Sequence, residues 1–264
     1  MRKILLMFSV LSGVLLFSQK KISENNSYYF YENKGQIIDQ DGKENNDVKY
    51  LFHSNGLNVQ LRSGGFSYDV YQVEKITESN TDKTQKKSDK KKEKVKYKYH
   101  RIDINLIGYN SNSEIIPEER SPDYDNFYNI PGKPNGILYV YRFKKVTYKN
   151  IYNNIDLVFF KPKDTLKPIE YNFIIRPGGK VSDIKMKFNG TKTSLKDKRI
   201  VMNLRFGDMH ENIPLSWLID GNSKKETPVS YQQIDEDTYG FVGKQDSFNK
   251  TLIIDPVPTP LWIK

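Results

Sequence analysis

The sequence contains no cysteine. Disulfides, thiol catalysis and cysteine metal sites are therefore excluded, and side-chain packing must hold the fold together. Histidine is scarce: only His53, His100 and His210 occur, with no i, i+4 pair and no HExxH string. No GxSxG elbow, phosphate loop or GxGxxG string is present, so no nucleophile turn or nucleotide cradle announces itself. No stretch sustains apolar residues at the three-and-four spacing of a helix face. No apolar run reaches the ~20 residues that a membrane-spanning helix needs.

The longest apolar run, Ile4 to Phe17, is broken only by Ser9, Ser12 and Gly13 and follows Arg2 and Lys3. A short basic start before a short apolar segment is the pattern of a secretory signal peptide. The expected cut lies between Ser18 and Gln19, so residues 1–18 are read as the signal peptide and 19–27 as a flexible N-terminus. No cysteine follows the run, which excludes a lipoprotein signal. An exported protein of the periplasm, cell surface or extracellular space is expected, with no transmembrane span in the mature chain.

The net charge of +10 invites a nucleic-acid reading. Its distribution argues otherwise. Residues 82–98, "DKTQKKSDKKKEKVKYK", hold nine lysines against three acids, a local +6. The N-terminal segment carries another +2, which leaves +2 for everything else. Nucleic-acid modules spread cations over a folded face. A lysine run of low complexity buries little apolar surface, so 76–98 is expected to be a disordered insert, with an anionic-surface tether as its functional alternative. No specific nucleic acid is expected as a partner.

Elsewhere apolar residues alternate with polar ones. "IEYNFII" sets Ile169, Tyr171, Phe173 and Ile175 on one face, with Glu170 and Asn172 on the other. "RIVMNLRF", "RIDINLI" and "GLNVQL" repeat the pattern. Period two is the strand signature. Asn55-Gly56, Asn189-Gly190, Asp41-Gly42 and Asp220-Gly221 supply residues tolerant of positive φ at turns. The segment 48–71 predicts a three-strand meander turning near Asn55-Gly56 and Gly64-Gly65. The expected fold class is all-β, an antiparallel β-sandwich of one large or two packed lobes.

Chemistry is hard to find in this pattern. "DQDGKENND" (39–47) has carboxylates but puts Gly42 fourth and Lys43 fifth, the wrong order for an EF-type calcium loop. Asp123/Asp125 and Glu118/Glu119 are acid pairs of the kind glycosidases use, but nothing in the pattern fixes a separation. The aromatic runs "YYFY" and "ILYVYRF" suit either sugar platforms or core strands. No catalytic residue, metal site or cofactor is expected, and the ligand is left open.

Six strings, "YENKGQI", "NLIGYNS", "DYDNFYN", "VTYKNIYNNIDLVFF", "IEYNFIIRPGGKVSDIKMKFNG" and "LIIDP", occur in an order that resembles a β-rich N-terminal module of Bacteroidota surface proteins. The resemblance covers roughly 28–256. It implies a module that precedes SBBP-type β-propeller repeats and a type IX secretion sorting domain. It implies a non-enzymatic structural or interaction role, with a carbohydrate-binding module as runner-up and a glycan-acting hydrolase third. The partners it implies are downstream domains of the same protein, or a cell-surface polysaccharide or protein. The motif residues are Glu32, Asn33, Lys34, Gly35, Gln36, Asp156, Pro177, Gly178, Asp255 and Pro256. Gly35 is expected to supply a backbone twist while the Asn33 and Gln36 amides satisfy freed backbone groups. Asp156 is expected in a buried network, and Asp255 before Pro256 to end a strand. Asp164-Thr165-Leu166 matches the short O-glycosylation signal of some Bacteroidota, with Thr165 as acceptor. The residues 257–264, "VPTPLWIK", read as a proline-rich linker stub, and the chain as a shortened form of a longer surface protein.

Overall fold

The computed structural model describes residues 29–39, 41–76, 94–160, 167, 169–243 and 250–260. Ser18, Gln19, Thr165, residues 77–93 and 261–264 lie outside these, and with them the signal cleavage, the glycosylation site and most of the lysine tract.

The described chain is all-β and every strand pairing is antiparallel. A meander begins it: β1 (Phe30–Glu32), β2 (Val48–Ser54), β3 (Leu57–Arg62), β4 (Gly65–Ile76) and β5 (Lys94–Leu106). The next strands are β6 (Glu114–Phe127), β7 (Ile137–Tyr152), β8 (Ile155–Phe160) and β9 (Glu170–Ile175). A 3-10 turn at Val181–Asp183 precedes β10 (Met186–Asn189), β11 (Lys192–Lys196), β12 (Arg199–Leu204) and β13 (Gly207–Asp220). The last four are β14 (Ser223–Glu226), β15 (Val229–Asp235), β16 (Thr238–Gly243) and β17 (Thr251–Pro260).

Two layers emerge from the pairings. One runs β15-β16-β10-β5-β4-β3-β2-β1, and the other β11-β12-β13-β17-β9-β8. The long strand β7 joins them. With β6 along one side, it pairs on the other with β1 near Phe143 and with β8 from Lys145 to Tyr152. The sheet thus folds over at β7 and faces itself.

The alternation expected from sequence fills the space between the layers. Ile169, Tyr171, Phe173 and Ile175 are all buried, as are Leu57, Val59, Leu61, Ile102 and Ile104. Phe66 of one layer meets Phe159 and Tyr171 of the other at ring centroid distances of 5.1 and 5.4 Å. Burial of such large rings contributes about 2–3 kcal/mol each, which is how a cysteine-free chain gains its stability.

Two expected boundaries need correction. The insert does not reach residue 98: β5 starts at Lys94 and pairs with β4 through Ile76↔Lys94. Lysine composition hid a period-two pattern, in which Val95, Tyr97 and Tyr99 alternate with Lys94, Lys96 and Lys98. The linker does not begin at 257 either. Asp255 lies within β17, which runs on through Pro260 with Pro256, Val257, Pro258 and Pro260 buried. The prolines sit at every second position, so all three missing N–H groups fall on one side of the strand. Among the described residues the strand beyond Asp255 pairs only with β13, and Asp255, Val257 and Thr259 are the residues that can donate to it. Pairing with β9 stops at Ile254, on the side where the prolines have nothing to give.

Candidate recognition face

The motif residues serve the framework. Asn33 donates its amide to the carbonyls of Asn45 and Val48, both at 2.8 Å, and its Oδ1 accepts from the Gly35 amide at 2.9 Å. Gln36 reaches back to the Glu32 carbonyl and accepts from the Lys34 N–H. Gly35 has φ +102°, in the region that glycine favours. Glu32 and Lys34 clamp the neighbouring hairpin: Glu32 accepts from the Tyr141 N–H, and Lys34 Nζ donates to the Tyr139 carbonyl at 2.7 Å. Asp156 is buried and accepts from Lys149 Nζ at 2.9 Å, from the Asn150 N–H at 2.7 Å and from Arg176. Pro177 and Gly178, with φ +88°, turn the chain beside Asn154. Buried Asp255 is pushed up to about 6, chiefly by desolvation.

Of the four paired acids three are tied down, and Glu119 is exposed. Asp123 and Asp125 flank the buried guanidinium of Arg142 at 3.6 and 3.5 Å. Glu118 is lowered from the usual glutamate value, first by the hydrogen bond from Thr147 and then by Lys145. The histidines go separate ways: His53 to Asn58, His210 to Arg199, and His100 to the Gly190 carbonyl and the Arg205 N–H. Among the described residues, no three His, Asp or Glu side chains are grouped to hold a metal ion. In the segment 39–47, Asp39 Oδ1 accepts from the N–H groups of Asp41 and Lys43, as a polar turn does.

The outer face of the β3–β4–β5 meander is built differently. Alternation in β4 sends Tyr68 and Val70 inward, and Ser67, Asp69 and Tyr71 outward. Near the root of the hairpin these outward groups form a polar lattice. Arg101 donates to Asp103 and Gln60, each at 2.9 Å, and to Ser67 at 3.2 Å. Arg62 donates to Asn105 at 3.1 Å, and Ser67 to Asp103 at 2.6 Å. Gln60 closes the lattice on Asp69, whose carboxyl is raised by burial and drawn back down by Arg101 and Gln60.

Further along the same face the lattice gives way to rings. Tyr71, Tyr97 and Tyr99 cluster with centroids 5.7–6.1 Å apart, and Tyr97 and Tyr99 are stacked. Tyr97 and Tyr99 are 49% and 51% exposed, and Val73 and Val95 beside them 50% and 47%. Beyond Tyr71 and Tyr99, β4 and β5 have only each other among the described strands, and form a two-stranded ribbon that leaves the sandwich. At its root Gly190, with φ +90°, presses so close that a Cβ there would lie 2.5 Å from the Arg101 carbonyl.

A groove of about 660 Å³ follows the free edge of β5 and is lined by Gln72, Lys96, Tyr97, Lys98, Tyr99, Arg205 and Phe206. The sequence reading missed Tyr97 and Tyr99. Their signal is the alternation inside "KVKYKYH", which the lysine content of the tract masks.

Framework and face define an antiparallel β-sandwich with a polar and aromatic outer surface. The chain belongs to the family described as a domain of unknown function, DUF7948, which matches residues 30–257. No curated protein and no solved structure matches it. Among the described residues, no helix is long and apolar enough to cross a membrane.

Proposed function

We propose that the protein is an exported, non-enzymatic interaction module and that the outer face of β3–β4–β5 is its recognition surface. One observation carries this: three tyrosine rings cluster on a ribbon outside the sandwich, continuous with a lattice of Arg62, Arg101, Asp69 and Asp103. Half-exposed aromatic and aliphatic side chains on such a ribbon are the kind of surface that marks a contact site. The carboxylates of the lattice are spent on arginine, serine and amide partners, which suits recognition better than proton transfer. Carbohydrate binding is the second reading, favoured by the Tyr97–Tyr99 stack, since planar rings accept sugar faces. Export rests on the basic and apolar pattern of residues 1–18. The place of the module at the head of longer Bacteroidota surface proteins, before propeller repeats and a sorting domain, belongs to the same proposal.

Labelled protein beginning at Gln19 is incubated with cells of the producing organism and with their envelope fractions. Arg101→Ser should cut retention at least tenfold, and Lys225→Ser on exposed β14 should leave it intact. Equal retention by Arg101→Ser and wild type rejects the face. N-terminal sequencing of protein recovered outside the cytoplasm tests export: a start at Gln19 is expected, and a chain that stays inside and keeps Met1 rejects it.

A further inference from the structure

Building on that recognition face, we infer that the groove beside the free edge of β5 binds an acidic polysaccharide. Its charged lining is entirely positive: Lys96, Lys98 and Arg205, with no carboxylate among the lining residues. Lys96, Lys98 and Arg205 are exposed. Lys98 reaches Glu74 on the far strand at 2.6 Å, and no described acid answers Lys96 or the Arg205 guanidinium. Tyr97 and Tyr99 add two rings that lie nearly parallel, at 20°. Alternation sends the lysines and the rings to opposite faces of β5, so the groove along its edge has cations on one wall and rings on the other. This matches a chain whose every unit has both a flat apolar face and an anionic group.

Three other occupants share part of this chemistry. A neutral glycan would use the rings and leave the cations idle. An acidic peptide could add as a strand to the free edge, but alternating lysines along an edge are a device that discourages strand addition. Single-stranded nucleic acid also combines stacking with positive charge. Here, however, Tyr97 and Tyr99 stack on each other and lean on Tyr71, so no slot is left between them for a base. Arg205 is set by the fold for this role. Its N–H is held by His100 Nδ1 at 3.1 Å, and the neighbouring Phe206 ring packs against His100.

The lysines of residues 82–92 will attract any polyanion, so the discriminating measurements are those on the rings and on Arg205. Protein from Gln19 to Lys264 is titrated by calorimetry with polygalacturonate, alginate and heparin. Poly-glutamate of matched charge, dextran and oligo(dT) serve as comparisons. At least one acidic polysaccharide should bind tenfold or more tightly than all three comparisons. Tyr97→Ala/Tyr99→Ala should lose at least tenfold of that affinity, and Arg205→Gln about threefold or more. Arg205 lies outside the ribbon, so its variant tests the groove even if the tyrosine pair unfolds. Poly-glutamate or oligo(dT) binding as tightly as the glycans overturns the inference, as does affinity untouched in a folded tyrosine or arginine variant. If no acidic glycan binds while Arg101→Ser still abolishes retention on cells, the recognition face stands and this inference falls.

Discussion

Strand β4 carries tyrosine on both of its faces, and the two faces use it in opposite ways. Tyr68 is fully buried between the layers, and its hydroxyl donates to Glu211. Tyr71, three residues on, faces outward and touches Tyr97 and Tyr99, which are half exposed. Inside, rings from different strands interlock and every one removed leaves a void. Outside, the rings touch chiefly one another. The difference separates the residues that make the sandwich from those available to a partner, and stability and binding should therefore come apart.

The interior side should break first. Phe66 stands where both layers meet, against Tyr68, Phe159 and Tyr171. Phe66→Ala should cost about 3–5 kcal/mol, the usual range for an aromatic truncated in a packed core. Chemical denaturation measures it. A loss under 1 kcal/mol would mean that the layers are not in close contact there.

A second interior test uses pH. Glu211 is fully buried with Tyr171 and Tyr68 donating to it, and desolvation raises it from 4.5 to about 8. The folded state therefore holds a proton that the unfolded state releases near pH 4.5. This contribution is complete below about pH 4.5 and is lost as pH rises to about 8. The slope approaches about 1.4 kcal/mol per pH unit inside that window. Asp255 acts in the same sense at lower pH, so the comparison must be with Glu211→Gln, which removes only the one titration. Melting curves from pH 5 to 9 should converge for the two proteins at low pH and diverge in favour of Glu211→Gln at high pH. Parallel curves would place the Glu211 carboxyl in contact with water.

Asp156 offers an intermediate case, because it is buried while its partners Lys149 and Arg176 are partly exposed. Asp156→Ala lets those cations rehydrate but orphans the Asn150 N–H, whose residue has φ +50°. A loss of about 2 kcal/mol is expected. Denaturation midpoints unchanged by the substitution would show that the irregular end of β7, where the register shifts between Tyr148 and Tyr152, holds without the carboxylate.

These cases also show how far the sequence could lead. The inward faces of β3, β9 and β12 follow directly from alternation, because burial on one face of a strand leaves a period-two trace. Asn33 and Gln36 were legible because side-chain amides near a glycine have few other uses. Glu211 was not, since one carboxylate in "GDMHENI" looks like any polar strand residue until β4 and β9 bring Tyr68 and Tyr171 over it. The ribbon was obscured for the opposite reason: lysine content outweighed the alternation of Val95, Tyr97 and Tyr99. The prolines of β17 misled in the same way, because proline reads as a strand breaker unless only one side of the strand must pair.

The smallest expected effect on stability is the one that matters most for function. Tyr97 and Tyr99 pack against Tyr71 and against each other, on a ribbon with no third strand beyond Tyr71 among the described residues. Cross-strand aromatic contacts of this kind contribute roughly 0.2–1 kcal/mol to local pairing. An isolated two-stranded ribbon is marginal in water, so loosening it should not propagate into a core built around Phe66 and Phe159. Tyr97→Ala/Tyr99→Ala should therefore shift global stability by no more than about 0.5 kcal/mol, as surface substitutions do. Hydrogen exchange should report faster opening for 94–99 alone, while amides of β3 and β9 keep their protection. A global loss above 2 kcal/mol, with protection falling across both layers, would make the rings part of the framework and remove the main reason for assigning them to recognition. A ribbon that loosens alone leaves those rings with a partner's surface as their use.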